Sequence, residues 1–564
     1  MKAELRIDAQ EAARKFLTED AEYRMGEIEA EQPNPLTRRL SQTLAESVED
    51  GVRMLLSVDE SMASRAANVL AGEEYADFAD AVRQTLAGGG RVIFSGCGSS
   101  GRLSMRLEQS WRTAVDALAA AYPAAAEKLL ARRDAVGSIM TGGEYAVIRA
   151  VESFEDSAAV GREQAKEWML GAGDLLVGVT ATGETTSILG TAMQALEDGA
   201  AVYMLICADP EPLMKRMARV REVYSHPRCR SITLPCGAFA LTGSSRMQSS
   251  TFEQLCGAAA LECALQDLLA SCPIAGNLPE YGDFGRLFAD TVAQLLRPEA
   301  VAKIADAVVT EQAVYERGGL MTLWADEYLL DVLTDTTERA PTFSTPPFQP
   351  SGSTEGERSW AFVKNPACDT PEAWVRCFAR EPRCIEWTAE TYAALGFSPE
   401  RIAHLPRIDA QALGAFSIGN EPQSDREGKN SHAMWVGADA APACFAHHAA
   451  RYDAASEFTL ASAGLVLPAT NMAIYEHLAL KLMLNTLSTA VMARMGRVHG
   501  NWMTCLAMSN KKLIDRSARI VSDLCGVSYE AALEAVYFEQ LSAEAEGRSC
   551  SPAREAIRRL GMRA

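Results

Sequence analysis

Short β-rich runs alternate with helical spacers through most of the chain, and this alternation restricts the fold more than any other feature. From Arg91 onward the chain contains the runs RVIF, DLLVGVTAT, AVYMLICA and SITLPC, separated by helical segments. Strands that alternate with helices in this way form β-α-β units and a parallel sheet. The sequence therefore predicts that the first domain is of the α/β class.

The pattern begins again in the second half of the chain. A helix near 295 to 316 precedes the candidate strands LMTLWA, SWAFV, RCIEW, AMWVG and FTLASA, and the segment 339–358, rich in Pro, Ser and Thr, is expected to be a loop. Between the halves, a long helix over 244–270 is followed by the breaker SCPIAGNLPEYGDFG. We predict a helical arm (1–45), a first domain (46–280), a second domain (281–500) and a C-terminal helical cap (501–564).

Composition excludes several classes of function. The 564 residues are 48% apolar with a formal charge of −20, which argues against a basic surface for nucleic acid. No apolar run is long enough to span a bilayer, and the polar start MKAELRIDAQEAARKF is unlike a secretory signal. The cysteines form no C-x-x-C pair, and the side chains of the adjacent His447 and His448 diverge. We expect a cytoplasmic protein with a small-molecule partner and no metal.

The segment GCGSSGR, from Gly96 to Arg102, is the first candidate site. It follows a predicted strand and begins a helix, so its backbone N–H groups can bind an anion. It fits the dinucleotide pattern G-x-G-x-x-G, but that fold requires a ribose-binding acid after the next strand, and the following region, DALAAAYPAAAEK, looks helical. With two hydroxyls at the tip, Ser99 and Ser100, the loop favours a sugar phosphate. A dinucleotide, or a glycine turn needed only for packing, remain as alternatives.

Two further turns carry hydroxyl groups. Thr180, Thr182, Glu184 and Thr185 lie in a turn after the strand LLVGV, and Ser244 with Ser245 precedes the long helix. Loops at the carboxyl edge of one parallel sheet form a crevice, which here suits a polyol phosphate. The alternative for each turn is an ordinary helix N-cap.

These segments together resemble the sugar isomerase (SIS) superfamily, in the branch of N-acetylmuramic acid 6-phosphate etherase and the glucokinase regulatory protein. The resemblance is carried by GCGSSGRL, GGEYAVIRAVESFEDS, TGSSRM, KLMLNTLSTAVMARMGRVHGNWM and SNKKLIDRSARIV. It implies two SIS domains, each a three-layer αβα, flavodoxin-like fold with a parallel sheet. As in the regulatory protein, the two domains would form a pseudo-dimer within one chain, with an N-terminal helical arm and a C-terminal helical cap.

Transferring the family's site residues gives one composite site. In LEQSW, Ser110 stands where the etherase branch has its catalytic acid, whereas LTDTTERAPTF of the second domain has Glu338 at that position. The second domain has WADEYLL, with two acids and no glycine, in place of a phosphate loop. The resemblance therefore implies that the first domain supplies the phosphate loop and a base, Glu155, and that the second supplies Glu338 as the acid. Lys481, the family lysine in KLMLN, would add a cation.

The resemblance leaves three functions open, none of which requires a cofactor. The first is a carbon–oxygen lyase of the etherase kind acting on a 6-phosphorylated amino sugar, with Glu155 as base and Glu338 as acid. The second is a sensor that binds a hexose phosphate and controls a sugar kinase. The third is a sugar-phosphate isomerase. Gln248, where the family often has lysine, is expected near the site and would alter substrate choice.

Overall fold

A computed structural model of the chain describes residues 2–151, 153–270, 282–508, 510–548 and 550–562. The predicted boundary between residues 280 and 281, and most of the breaker before it, lie outside the described residues. The other predicted domain limits remain predictions.

The first domain contains a parallel sheet of five strands in the order β2-β1-β3-β4-β5, which confirms the α/β class. Every residue of β1 and β3 is buried, because helices cover both faces of the sheet. The strands are β1 (Val92–Gly96), β2 (Val136–Met140), β3 (Leu175–Thr180), β4 (Ala201–Ile206) and β5 (Cys229–Thr233).

Strand β2, with the sequence VGSIM, is a strand that the sequence analysis missed. It pairs with β1 at the edge of the sheet. The acid nearest after it, Glu144, is buried and forms an ion pair with Arg380 of the second domain at 2.5 Å. Glu144 is therefore committed to a domain contact, and the order 2-1-3-4-5 is that of flavodoxin rather than of the dinucleotide fold.

The second domain repeats the first with one strand fewer. Its parallel sheet has the order β7-β6-β8-β9, which matches β2-β1-β3-β4 position by position. The predicted internal repeat is thus confirmed in the strand order. The strands are β6 (Met321–Trp324), β7 (Ala361–Lys364), β8 (Gly428–Gly437) and β9 (Tyr452–Thr459).

The prediction that RCIEW, residues 383–387, is a strand was wrong. This segment has no regular secondary structure and packs against the first domain instead. The backbone N–H of Arg383 donates to the Glu144 carboxylate, and Trp387 stacks on Phe154 with ring centroids 6.4 Å apart. Its alternating pattern therefore reflects packing between domains rather than sheet pairing.

Helices surround both sheets and form the two ends of the chain. The arm helix α1 (Lys2–Glu19) packs on α22 (Tyr529–Ala545) of the cap, and α3 (Val48–Leu70) packs on α12 (Asp283–Leu295) and α13 (Pro298–Glu316) of the second domain. The helices of the first half are α1 (Lys2–Glu19), α2 (Leu40–Glu46), α3 (Val48–Leu70), α4 (Glu73–Ala87), α5 (Gly98–Ala121), α6 (Ala126–Leu130), α7 (Ala158–Lys166), α8 (Thr186–Glu197), α9 (Glu211–Arg216), α10 (Ala218–Tyr224) and α11 (Gln248–Leu268).

Past residue 282 the helices are α12 (Asp283–Leu295), α13 (Pro298–Glu316), α14 (Leu329–Phe343), α15 (Thr370–Phe378), α16 (Ala389–Ala394), α17 (Pro399–His404), α18 (Ala410–Gly414), α19 (Ala443–Ala449), α20 (Ile474–Arg494), α21 (Lys511–Cys525), α22 (Tyr529–Ala545) and α23 (Pro552–Leu560). A short hairpin, β10 (Val498–His499) with β11 (Trp502–Met503), precedes the cap.

Helices α5 and α14, which follow the equivalent strands β1 and β6, meet at the contact between the domains. Arg106 of α5 and Asp331 of α14 form a buried ion pair at 3.1 Å. Breaking a buried pair by removing one partner leaves a charge uncompensated, which costs several kcal/mol, roughly 3–5. These contacts therefore fix α5 and α14 against each other, and both helices contribute residues to the candidate site.

Candidate functional site

A cavity of about 610 Å³ lies where the carboxyl edge of the first sheet meets the second domain and the cap. Its wall includes the loop after β1, the turn after β3, residues 243–246 before α11 and the second half of α14. Glu31 of the arm and residues of α21 complete it. Parallel sheets bind ligands at this edge, beside the point where the strand order reverses, which is here between β1 and β3.

The three glycines of the loop after β1 have different physical roles. A Cβ at Gly96 would lie 2.3 Å from the backbone of Ser100, and one at Gly101 would lie 2.1 Å from Met140 Sδ. Both positions therefore need glycine for close packing, as the packing alternative stated. Gly98 has open space around it but a φ of +55°, and it lines the cavity.

The two serines of the loop point to different partners. Ser99 lines the cavity, whereas the hydroxyl of Ser100 donates to the buried carboxylate of Glu253 on α11 at 3.3 Å. Burial raises the pKa of Glu253 to about 7, although hydrogen bonds from Ser249, Ser100 and Cys207 act in the opposite direction. A buried carboxyl group thus lies directly behind the loop, and no motif in the sequence indicated it.

Glu338 reaches the first domain from α14 and is buried there. Its carboxylate accepts a hydrogen bond from Ser99 Oγ at 2.7 Å and pairs with Arg102 Nη1 at 2.9 Å. Arg102 also donates to the carbonyl oxygens of Ala146 and Val147, at 3.2 and 2.9 Å. The loop of the first domain and the predicted acid of the second are therefore in direct contact.

Glu155 lines the same cavity from the segment after β2. Its backbone carbonyl accepts from Ser187 N at 2.9 Å, which ties the segment to the start of α8. Burial raises the pKa of Glu155, and the charges of Asp156 and Glu184 add to this, whereas Lys512 opposes it. Within the part of the chain that the structure describes, the Glu155 carboxylate has no hydrogen-bond partner.

The turn after β3 contributes fewer side chains than expected. Thr182 lines the cavity, but Thr180 and Thr185 bond to each other, with their hydroxyl oxygens 2.9 Å apart. Glu184 pairs with Lys512 of the cap at 3.3 Å. Ser244 and Ser245, by contrast, both line the cavity.

Lys512 and Arg516 are cavity residues for which the sequence analysis gave no role. They are four residues apart on α21, a spacing that places both side chains on one face of a helix. Arg516 pairs with Glu31 of the arm, and Lys512 donates to Thr182 Oγ1 at 3.3 Å. The motif SNKKLIDRSARIV contained this signal as a cationic i, i+4 pair.

Two predicted residues lie away from the cavity. Lys481 is in a small adjoining space of about 20 Å³, where its ammonium donates to Arg246 O at 2.9 Å and to Thr251 Oγ1 at 2.7 Å. Burial lowers the pKa of Lys481 to about 8. Gln248 is fully buried and donates to Asp59 Oδ1 at 2.7 Å, so it lies behind the wall and not in it.

The equivalent loop of the second domain has a different construction. Trp324, at the end of β6, is fully buried and stacks on His448, with ring centroids 4.9 Å apart. Ser110, the residue equivalent to Glu338, accepts a hydrogen bond from Arg106 at 3.0 Å. In the second domain, the buried Trp324 and His448 thus occupy the place of the glycine-containing loop. In the first domain, Ser110, bonded to Arg106, occupies the place of the acid.

Comparison with known proteins assigns the family of the first domain. Residues 75–196 match the family model of the glucokinase regulatory protein N-terminal SIS domain. This part of the chain is an SIS domain. The second domain repeats the strand order of the SIS domain on the described residues.

The curated relatives are etherases. The chain is 29% identical over 204 residues to N-acetylmuramic acid 6-phosphate etherase of Aeromonas hydrophila, a match of 36% of this chain and 59% of that protein. It is 31% identical over 182 residues to the etherase of Aliivibrio fischeri, covering 32% of this chain and 52% of that protein. The matches thus span little more than half the length of these relatives.

Among solved structures, the C-terminal domain of glucosamine-fructose-6-phosphate aminotransferase from Francisella tularensis is similar with a TM-score of 0.38 and 11% identity. The similarity covers 75% of this chain and 95% of that one. In the described ranges, no helix is both long and apolar enough to span a membrane. No group of three or more His, Cys, Asp or Glu side chains among the described residues is arranged to hold a metal ion.

Proposed function

We propose that this protein is an etherase-like carbon–oxygen lyase acting on N-acetylmuramic acid 6-phosphate or a related 6-phosphorylated amino sugar. One observation carries the proposal: two carboxylates, Glu155 and Glu338, line a single cavity together with the glycine-containing loop after β1. Elimination of an ether needs a base for the proton next to the carbonyl group and an acid for the departing oxygen. The etherase relatives support the same chemistry.

The phosphate would bind at the start of α5. Gly98 and Ser99 form the first turn of this helix, where free backbone N–H groups and the helix dipole favour an anion. The hydroxyl groups of Thr182, Ser244 and Ser245 lie on the same wall and can donate to phosphate or sugar oxygens.

Glu155 is the proposed base. In the open-chain sugar, the aldehyde makes the C2 proton acidic, and a carboxylate with a raised pKa is a stronger acceptor for it. The raised pKa of Glu155 comes from burial and from the neighbouring acids. Lys512, which opposes that shift, would also stabilise the negative charge that develops on the carbonyl oxygen.

Glu338 is the proposed acid, and a bound ligand would change the hydrogen bonds that it accepts. To protonate the ether oxygen, Glu338 has to hold a proton, but in the structure it accepts hydrogen bonds from Ser99 and Arg102. A phosphate bound at the loop competes for both donors, because its several charged oxygens accept more hydrogen bonds than one carboxylate can. Release of these donors would leave the Glu338 carboxyl group available to the ether oxygen.

The same contact favours a second candidate, a sensor that binds a hexose phosphate and controls a sugar kinase. The Arg102–Glu338 pair links the phosphate loop to the second domain, so a ligand that breaks it alters how the domains contact each other. The match of residues 75–196 to the regulatory protein's SIS domain supports this alternative.

Incubation of the purified chain with N-acetylmuramic acid 6-phosphate, followed by an assay for lactate, separates the two candidates. Lactate release supports the lyase. Tight binding measured by calorimetry without any lactate contradicts the lyase and favours the sensor. A pull-down with sugar kinases, with and without hexose phosphates, then tests the sensor, which fails if no kinase is retained under either condition.

A further inference from the structure

We propose that Arg149 binds the carboxylate of the 3-O-carboxyalkyl group of the sugar phosphate, and so selects a lactyl ether over a plain hexosamine phosphate. This inference rests on the proposed lyase function and names the part of the substrate that a first-domain side chain, at the contact with the second domain, recognises. No motif in the sequence indicated this residue as a ligand.

The charges on the cavity wall support a site for a second anion. Five cationic side chains line the wall within the described residues, and four of them pair with a carboxylate: Arg102 with Glu338, Arg246 with Asp335, Lys512 with Glu184 and Arg516 with Glu31. In this set Arg149 alone has no carboxylate partner. The only hydrogen bond of its side chain in the described residues runs from Nη2 to the backbone carbonyl of Phe348 at 3.1 Å.

Arg149 is held at the contact between the domains. Phe348 belongs to the loop after α14, so this hydrogen bond connects the turn after β2 to the second domain. The same turn is held by Arg102, which donates to Ala146 O and Val147 O. Because Arg102 also pairs with Glu338, the segment that carries Arg149 lies beside the proposed acid.

The chemistry of the substrate requires this proximity. In a 3-O-lactyl ether, a single carbon atom separates the ether oxygen from the carboxylate. The residue that protonates the oxygen and the residue that binds the carboxylate must therefore be neighbours. The planar guanidinium of arginine matches a carboxylate with two parallel N–H donors. Ile148 and Pro341 also line the cavity and offer apolar contact for the methyl group of the lactyl ether.

The test compares two ligands that differ only in the lactyl group. We would measure the affinities of N-acetylmuramic acid 6-phosphate and N-acetylglucosamine 6-phosphate by calorimetry, in a Glu155→Gln background so that the ether is not consumed. Arg149→Met is expected to weaken binding of the ether by about tenfold or more, as for loss of a charged hydrogen bond, and that of the plain phosphate by less than about twofold.

Arg221→Met is the matched control. Like Arg149, Arg221 is exposed, and among the described residues its side chain hydrogen-bonds only to a backbone carbonyl, that of Met214 at 3.1 Å. It is not part of the cavity wall, and its replacement should leave both affinities unchanged. Arg149→Lys is expected to restore part of the ether affinity, because it keeps the charge and loses the paired donors.

Equal weakening of both ligands by Arg149→Met would overturn the proposal, because Arg149 would then serve the phosphate or the fold. Equal affinity of the starting protein for both ligands would overturn it as well, as would binding of neither. A third outcome separates this proposal from the lyase function. If the ether binds more tightly than the plain phosphate, and Arg149→Met removes that difference, but the wild-type chain releases no lactate, then the lyase function fails and the carboxylate site stands.

Discussion

Glu338 accepts a hydrogen bond from the hydroxyl of Ser99 at 2.7 Å, although the two residues are 239 positions apart. Ser99 belongs to the first turn of α5 and Glu338 to α14, so each domain supplies one side of the contact. Neither domain has both the glycine-containing loop and an acid at the equivalent helix position. The contact is therefore shared between the domains, as the composite site proposed from Ser110 and Glu338 requires.

Replacement of Lys512 by Met should shift the pH dependence of activity. Lys512 lowers the pKa of Glu155, so its removal raises that pKa further. A base acts in its deprotonated form, and the acidic limb of the kcat/KM profile is therefore expected to move to higher pH.

Lys511→Met is the control for that profile. Lys511 is adjacent, pairs with Asp20 and does not line the cavity. If Lys512→Met leaves the acidic limb in place, or Lys511→Met moves it equally, Glu155 is not the group that titrates.

Glu253 makes the stability of the fold depend on pH. Burial raises its pKa from 4.5 to about 7, so between these values the folded chain binds a proton that the unfolded chain has released. The free energy of unfolding is therefore expected to fall as pH rises from 4.5 to 7, by about 3 kcal/mol from this residue.

Glu253→Gln should remove that part of the dependence and stabilise the chain above pH 7 relative to wild type. Urea unfolding followed at pH 5 and pH 8 measures it. Burial also raises the pKa of Asp59 to about 7. Asp59 remains in the variant, so part of the dependence of unfolding free energy on pH remains as well. If the difference in unfolding free energy between pH 5 and pH 8 is the same in the variant as in wild type, Glu253 is already ionised in the folded chain at pH 5.

The glycines of the loop should differ in their tolerance of alanine. At Gly98 a methyl group has room, and the cost is that of a positive φ, about 1–2 kcal/mol. At Gly96 the added Cβ meets the backbone of Ser100 at 2.3 Å, so β1 and α5 have to separate. Gly96→Ala is expected to lose more unfolding free energy than Gly98→Ala in urea, and the reverse order would contradict the packing role.

Much of the fold could be predicted because strand and helix patterns are local. The α/β class and the repeat followed from the alternation of strand and helix patterns in chain order, and the role of Glu338 was implied by the resemblance to the SIS superfamily. Strand β2 was missed because its run, VGSIM, is short and contains a glycine. The error over RCIEW arose because a segment packed on another domain can alternate like a strand.

The missing parts of the site come from distant segments. Lys512, Arg516 and Glu31 line the cavity only because the cap and the arm pack against each other. The i, i+4 spacing of Lys512 and Arg516 places them on one helix face but does not show what that face contacts. Lys481 and Gln248 lie in or next to the motifs that predicted the site, but their side chains contact buried polar groups behind the cavity wall. Side-chain direction, unlike position along a helix, depends on the neighbouring elements.

The most direct test of the composite site is the rate of lactate release from N-acetylmuramic acid 6-phosphate by the wild-type chain and by Glu338→Gln. Our account predicts release by wild type and a loss of about a hundredfold or more in kcat for the variant, with the affinity for N-acetylglucosamine 6-phosphate retained. A variant that keeps the wild-type rate would show that Glu338 is not the acid, and would contradict a site shared between the two domains.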